Sequence, residues 1–242
     1  MPPNDYLRSR TTGVCKMSAT PGYPAAFQAV KDAYEEAVRK YHQVRSSREN
    51  TRNIVSASGR LAMTRDQIVD PRYETEFMRY DSHLRSVNAC LEAIQTLDST
   101  QANAARGALH RLQAAMQTAF FKMFDYDNND RVDRNEMTRF LTDRFNRVYM
   151  ADPGVGQRMR GATYRQLAEM TAEQAFEEAN TNEDDSMSLK EFNQWYATSA
   201  TSGGAAVFLK AGGNFNNVPW WLEHRLEVLN APVHGMDLSF RW

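Results

Sequence analysis

Hydrophobic positions recur at steps of three and four along much of the chain. From Ala25 onward, Phe27, Val30, Tyr34, Val38, Tyr41 and Val44 fall on one side of a helical wheel, which predicts an amphipathic helix ending near Asn50. A polar, arginine-rich stretch follows and reads as a connection, closed by Asp70-Pro71, because proline suits a first helical turn. Tyr73, Phe77, Tyr80, Leu84, Val87, Leu91 and Ile94 then repeat at spacings of 4-3-4-3-4-3. This run predicts a helix over roughly 72–98 with an apolar seam along one side. The seam could serve a coiled-coil dimer or three antiparallel helices packed on one another, and about three heptads is short for the dimer. A third helix begins near Thr100 and carries Leu109, Leu112, Met116, Phe120 and Met123. Residues 1–23, rich in Pro, Gly, Ser and Thr, read as an extended arm, and residues 24–110 as a helical region.

The helical pattern breaks at DYDNNDRVDRNE, residues 125–136, where five acidic side chains fall within twelve residues. AFFKMF precedes the stretch and MTRFL follows it. Like charges crowded between two apolar runs repel one another unless a cation sits among them. A related stretch, NTNEDDSMSLKE, occupies residues 180–191. It too lies between apolar runs, with Ala175 and Phe176 before it and Phe192, Trp195 and Tyr196 after it.

Apolar helix, twelve-residue acidic loop and apolar helix in this order resemble the EF-hand, the helix–loop–helix calcium site of the calmodulin superfamily. Calcium is a hard cation that takes six to eight oxygens, so alternate loop positions must point oxygen donors inward. The resemblance implies Asp125, Asp127 and Asn129 as ligands at positions one, three and five. Arg131 at position seven would give only its backbone carbonyl, leaving its side chain free to face solvent. Asp133 at position nine would reach the metal through water, and Glu136 at twelve would clamp it with both oxygens. Val132, at position eight, would join the short ladder between paired loops. One departure stands at position six, where Asp130 replaces the family's glycine. That position needs φ > 0, which aspartate tolerates better than most residues, at a cost of about 1 kcal/mol.

In the second loop the resemblance places Asn180, Asn182, Asp184, the Ser186 carbonyl, Ser188 and Glu191 at the ligand positions, with Met187 at the ladder. Asp185 again replaces glycine. Only Asp184 and Glu191 bring ligand charge there, so this hand is expected to bind weakly or to be vestigial. One bound calcium is expected, and a second is doubtful. Thr171 with Gln174 reads as a capping box opening the incoming helix. The loops start 55 residues apart, and the excess length is expected in a loop at 151–157 and a short extra helix at 163–170. The EF-hand pair spans residues 111–200.

Residues 201–242 form a tail with a short helix after Pro219. Three of the four tryptophans lie in its last 23 residues, where a terminus is ordinarily polar. Either the tail folds back on the groove of its own hands, or Trp220, Trp221 and Trp242 are anchors for a partner.

Composition adds limits. Apolar residues make up 42% and charged residues 24% of the chain, and the net charge is −1, so nucleic acid is not an expected partner and no membrane span is foreseen. Residues 1–70 carry 11 Lys/Arg against 7 Asp/Glu, and residues 111–199 carry 11 against 15. Two cysteines in different segments exclude a disulfide framework. The five histidines show no ligand spacing, and no nucleophile or phosphate-loop motif stands out. The expected fold is all-α, and the expected function is a non-enzymatic calcium-responsive adaptor or sensor in the cytoplasm. The alternative is a structural subunit of a cytoskeletal or flagellar assembly, its basic arm meeting an acidic polymer such as tubulin. A calcium-regulated enzyme is the second alternative. Arg8, Arg10 and Lys16 among Ser and Thr faintly resemble a mitochondrial transit peptide, against which Asp5 and the prolines argue.

Overall fold

A computed structural model describes residues 22–46, 52–63, 77–179, 184–198, 204–210, 215–216 and 218–230. Among these residues there are ten helices and one two-stranded ladder. In chain order they are α1 (Tyr23–Arg45), α2 (Arg52–Met63), α3 (Phe77–Ile94), α4 (Thr100–Lys122), β1 (Arg131–Asp133), α5 (Arg134–Ala151), α6 (Val155–Arg158), α7 (Tyr164–Ala179), β2 (Ser186–Ser188), α8 (Leu189–Thr198), α9 (Ala205–Lys210) and α10 (Trp220–Asn230). The fold is all-α, as the periodicity predicts.

The first four helices pack as one bundle. Arg111 of α4 pairs with Glu36 of α1 at 2.8 Å, and Gly22 at the start of α1 lies against Lys122 at the end of α4. These two contacts make α1 and α4 antiparallel. Val30, Tyr34, Tyr41 and Val44 of α1 meet Leu109, Leu112 and Met116 of α4 in the core. The seam of α3 is spent inside the same bundle, where Val87 and Ile94 are buried and Leu84 and Leu91 partly so. That supports helices packed on one another over a dimer seam. Its earlier member Tyr73 lies outside the described residues, as does all of 64–76.

The stretch read as a connection is partly helix. In α2, Ile54, Ala57, Ser58 and Leu61 are buried, a helical stripe that two small residues conceal in a hydropathy pattern. The Tyr34 hydroxyl donates to the Leu61 carbonyl at 2.7 Å, and the Cys90 thiol to the Ala57 carbonyl at 3.4 Å. Burial pushes the Cys90 thiol up from 9 to about 12, leaving it about a thousandfold less thiolate at neutral pH. In a Cys15→Ser background, a thiol reagent at pH 8 is therefore expected to find no reactive thiol until the chain unfolds. Prompt labelling of the folded chain would show that α2 opens.

Ser99 caps α4, its Oγ accepting from Ala102 N at 3.2 Å. The Arg106 guanidinium closes the preceding helix end by donating to the Ile94 and Leu97 carbonyls, each at 2.8 Å. From there α4 runs unbroken to Lys122. Its first turns belong to the bundle. Its last turn, with Phe120 and Phe121, belongs to a second core shared with α5, α7 and α8. Tyr80 of α3 stacks on Phe120 at 4.2 Å between ring centroids, so the two cores meet along one helix.

The inserted segment 151–170 departs from expectation. Residues 155–158 form one helical turn, and 163–170 is no separate helix but the first half of α7. Nor is Thr171 a cap. It is fully buried mid-helix, its hydroxyl donating to the Leu167 carbonyl at 2.6 Å. The cap is Thr163, whose Oγ1 accepts from Gln166 N at 3.2 Å while Gln166 Oε1 accepts from Thr163 N at 2.9 Å. Thr-x-x-Gln stands at 163–166 and again at 171–174. Only the first precedes the buried stripe Leu167, Ala168, Thr171, Ala172, Ala175, Phe176.

Candidate metal centre

The first loop joins α4 to α5. Phe121 and Phe124 before it, and Phe140 after it, bury both flanks. The Phe124 and Phe140 rings lie 4.1 Å apart, and Phe192 of α8 sits 5.0 Å from Phe124. Helix α5 opens with a reciprocal capping box. Asp133 Oδ1 accepts from Glu136 N at 2.7 Å, and Glu136 Oε2 accepts from Asp133 N at 3.0 Å. The other Glu136 oxygen turns back over the loop and accepts from Tyr126 N at 2.7 Å and Asp127 N at 3.2 Å.

Loop backbone and carboxylates hold each other. Asp125 Oδ1 accepts from Asn129 N at 3.0 Å, and Oδ2 from Asp130 N at 3.1 Å. Asn128 and Asp130 both adopt left-handed backbone, with φ of 59° and 63°. Asp130 thus takes the conformation that position six requires. The outcome is a convergence: carboxylate oxygens of Asp125, Asp127 and Glu136 lie within 4.8 Å of one another. Asp125 is fully buried and Glu136 nearly so. Burial raises the Glu136 carboxyl above the ordinary glutamate range, more than the backbone donors at Asp133, Asp127 and Tyr126 pull it down. An all-oxygen donor set of this charge, with Asp125 and Glu136 buried and Asp127 at the surface, fits a hard cation.

Lys122 is a resident of this site that sequence reading missed. Its ammonium donates to Asp125 Oδ2 at 2.6 Å, Asn128 Oδ1 at 2.7 Å and Asp130 Oδ1 at 2.5 Å. Burial works against the charge, but the bonds to Asp125 and Asp130 outweigh it and hold the ammonium above the ordinary lysine pKa. Gly22 approaches the same group so closely that a Cβ there would fall 2.1 Å from Asn128 Oδ1. The start of α1 therefore rests on the loop. Lys122→Met is expected to tighten calcium binding by about tenfold, since a neighbouring positive charge is removed, and to lower the calcium-free melting temperature. Calorimetry and thermal melts read both effects. A weakened Kd would mean that the ammonium orients Asp125 rather than competing for it.

The second loop joins α7 to α8. Asn180 and Asn182 lie outside the described residues; Asp184, Ser186, Ser188 and Glu191 are described. Glu191 Oε2 accepts from Ser188 N at 2.9 Å, and Ser188 Oγ accepts from Glu191 N at 3.3 Å. The loops join as β1 and β2, antiparallel, with Val132 opposite Met187, the two positions expected at the ladder. The Arg131 side chain is only partly exposed and folds onto the second loop. Its Nε donates to Ser186 Oγ at 2.5 Å, and its Nη2 donates to the Ser186 carbonyl at 3.3 Å and pairs with Asp184 Oδ2.

Tail residues pack onto the hands. Phe208 and Phe215 approach Phe145 of α5 at 6.1 and 5.7 Å, and Trp221 meets Phe208 at 5.9 Å. Arg225 of α10 binds Glu173 and Glu177 of α7 at 2.5 and 2.8 Å. Trp221 is only 2% exposed and so cannot be a partner anchor, whereas Trp220 is 71% exposed. Trp242 lies outside the described residues.

Two helix–loop–helix units are paired through an antiparallel ladder over a common aromatic core, and the first of them gathers three carboxylates. Residues 113–197 match the family model of the EF-hand domain pair, and this part of the chain is an EF-hand pair. No curated protein and no solved structure matches the chain. Among the described residues no helix is long and apolar enough to cross a membrane.

Proposed function

We propose that the protein binds one calcium ion in the first loop and passes its occupancy to a protein partner without being an enzyme. The observation that carries this reading is the convergence of the Asp125, Asp127 and Glu136 carboxylates within 4.8 Å. Asp125, Asp127 and Asn129 would hold the ion by their side chains, Arg131 by its carbonyl, Asp133 through water and Glu136 by both oxygens. The ion would neutralise the loop's carboxylates. The chain's own residues supply the transmission. Asp125 lies three residues beyond the end of α4 and Glu136 in the first turn of α5, so both helix ends follow the loop. Along α4, Phe120 reaches Tyr80 of the bundle, and Gly22 ties α1 to the loop.

A partner surface is offered by α10, where Trp220, Val228 and Leu229 are exposed beside a cleft of about 510 Å³ against α7. That same fixed apolar face favours the second reading, a subunit of a larger cytoskeletal assembly in the cytoplasm. Calcium titration with tryptophan fluorescence separates the two. For a sensor, emission from the buried Trp195 and Trp221 shifts as calcium reaches the micromolar range. Binding that leaves emission unchanged would reject the sensor and favour the assembly.

A further inference from the structure

Arg131 sits at position seven of the first loop, but its guanidinium lies in the second. There it meets Asp184 Oδ2, Ser186 Oγ and the Ser186 carbonyl. Two of these, the Asp184 carboxylate and the Ser186 carbonyl, are the oxygens that positions five and seven of that loop would offer a metal. We propose that the guanidinium of Arg131 is the built-in cation of the second loop and keeps calcium out of it.

Three observations support the assignment. The contacts are directional: Nε and Nη2 reach separate oxygens, as a planar guanidinium does and a point charge does not. They depend on the ladder, because the pairing of Arg131 with Ser188 sets this side chain diagonally over Ser186. Finally, the loop is poor in ligand charge, so a single positive charge balances much of what it has. Each member of the Arg131–Asp184 pair has a side chain 41% exposed, so solvent screens the attraction and little stability follows from it. Occupancy is the point. A guanidinium on those oxygens takes their lone pairs and repels a divalent ion. Arg131 thereby serves both loops, its carbonyl facing the first and its side chain filling the second.

The proposal shares with the proposed function the assignment of calcium to the first loop, and the experiment separates them. Calcium is titrated by calorimetry into the full chain as wild type, Glu136→Gln, Glu136→Gln/Glu191→Gln, Glu136→Gln/Arg131→Gln, and the last with Glu191→Gln added. Expected is no binding below the millimolar range in Glu136→Gln. Adding Arg131→Gln should create a site at least about tenfold tighter, lost again with Glu191→Gln. If Glu136→Gln keeps a site that Glu191→Gln removes, calcium enters beside the arginine and the proposal is wrong. It is equally wrong if Arg131→Gln opens nothing, for then ligand poverty alone closes the loop. Identical titrations of wild type and Glu136→Gln would instead overturn calcium binding by the first loop, leaving the Arg131 comparison to stand by itself. Calcium-free melts of Arg131→Gln, Asp184→Asn and their double variant decide the matter should the combined variants not fold. Asp184→Asn should lower Tm by no more than about 2 °C in wild type and change nothing in Arg131→Gln; additive losses would refute the pairing.

Discussion

Glu136→Gln is expected to weaken calcium binding by the first loop from the micromolar to about the millimolar range. Position twelve is the one expected to give two oxygens to the ion, and glutamine offers one, uncharged. The amide can still accept one backbone N–H and hold the helix start, so far-UV circular dichroism without calcium should match wild type. This separates lost ligation from lost fold. Beside Asp125 and Asp127, the Glu136 carboxyl is held above its ordinary pKa by desolvation, and the Asp127 charge adds to the rise. Calorimetry on both proteins measures the change. Equal affinity would remove the first loop from the calcium reading altogether.

The second large effect contrasts neighbours. Trp221→Ala is expected to cost about 3–5 kcal/mol, as for other buried large-to-small replacements, and to lower Tm by about 10 °C. Trp220→Ala should stay within about 0.5 kcal/mol of wild type. Trp221 touches Phe208, which touches Phe215 and Phe145, so its loss opens a cavity between tail and hands. Its indole N–H has no acceptor among the described residues. Trp221→Phe therefore deletes an unsatisfied donor along with some volume, and should recover much of the loss. Equal, small effects at 220 and 221 would mean that the tail is not docked in solution.

These two residues show where sequence reading stops. Adjacent tryptophans have the same hydropathy, and only the direction in which α10 presents each of them to α7 and α9 separates core from surface. Thr163 and Thr171 make the same point. Each opens a Thr-x-x-Gln, and the choice depends on where the buried stripe of α7 begins. Helix α2 is hard to see in the sequence because its inward face is built partly from Ala57, which lies against Cys90 of α3, and from the buried Ser58, both too weakly apolar to stand out.

Local features are legible from residue order alone. The three-and-four spacing of Val30, Tyr34 and Tyr41, or of Val87 and Ile94, makes a helix with one apolar side wherever it stands in the chain. The ligand positions from Asp125 to Glu136 are legible because calcium coordination is completed within twelve consecutive residues. The left-handed turn at Asp130 follows from the same spacing. Where long side chains end depends on the assembled fold. Lys122 belongs by sequence to the last turn of α4, and it folds onto Asp125, Asn128 and Asp130. Arg131 reaches Asp184, 53 residues further along the chain, because the Val132–Met187 register brings the two loops side by side. A long flexible cationic side chain has many rotamers, and the one it adopts is set by whichever acceptors the assembled fold brings within reach.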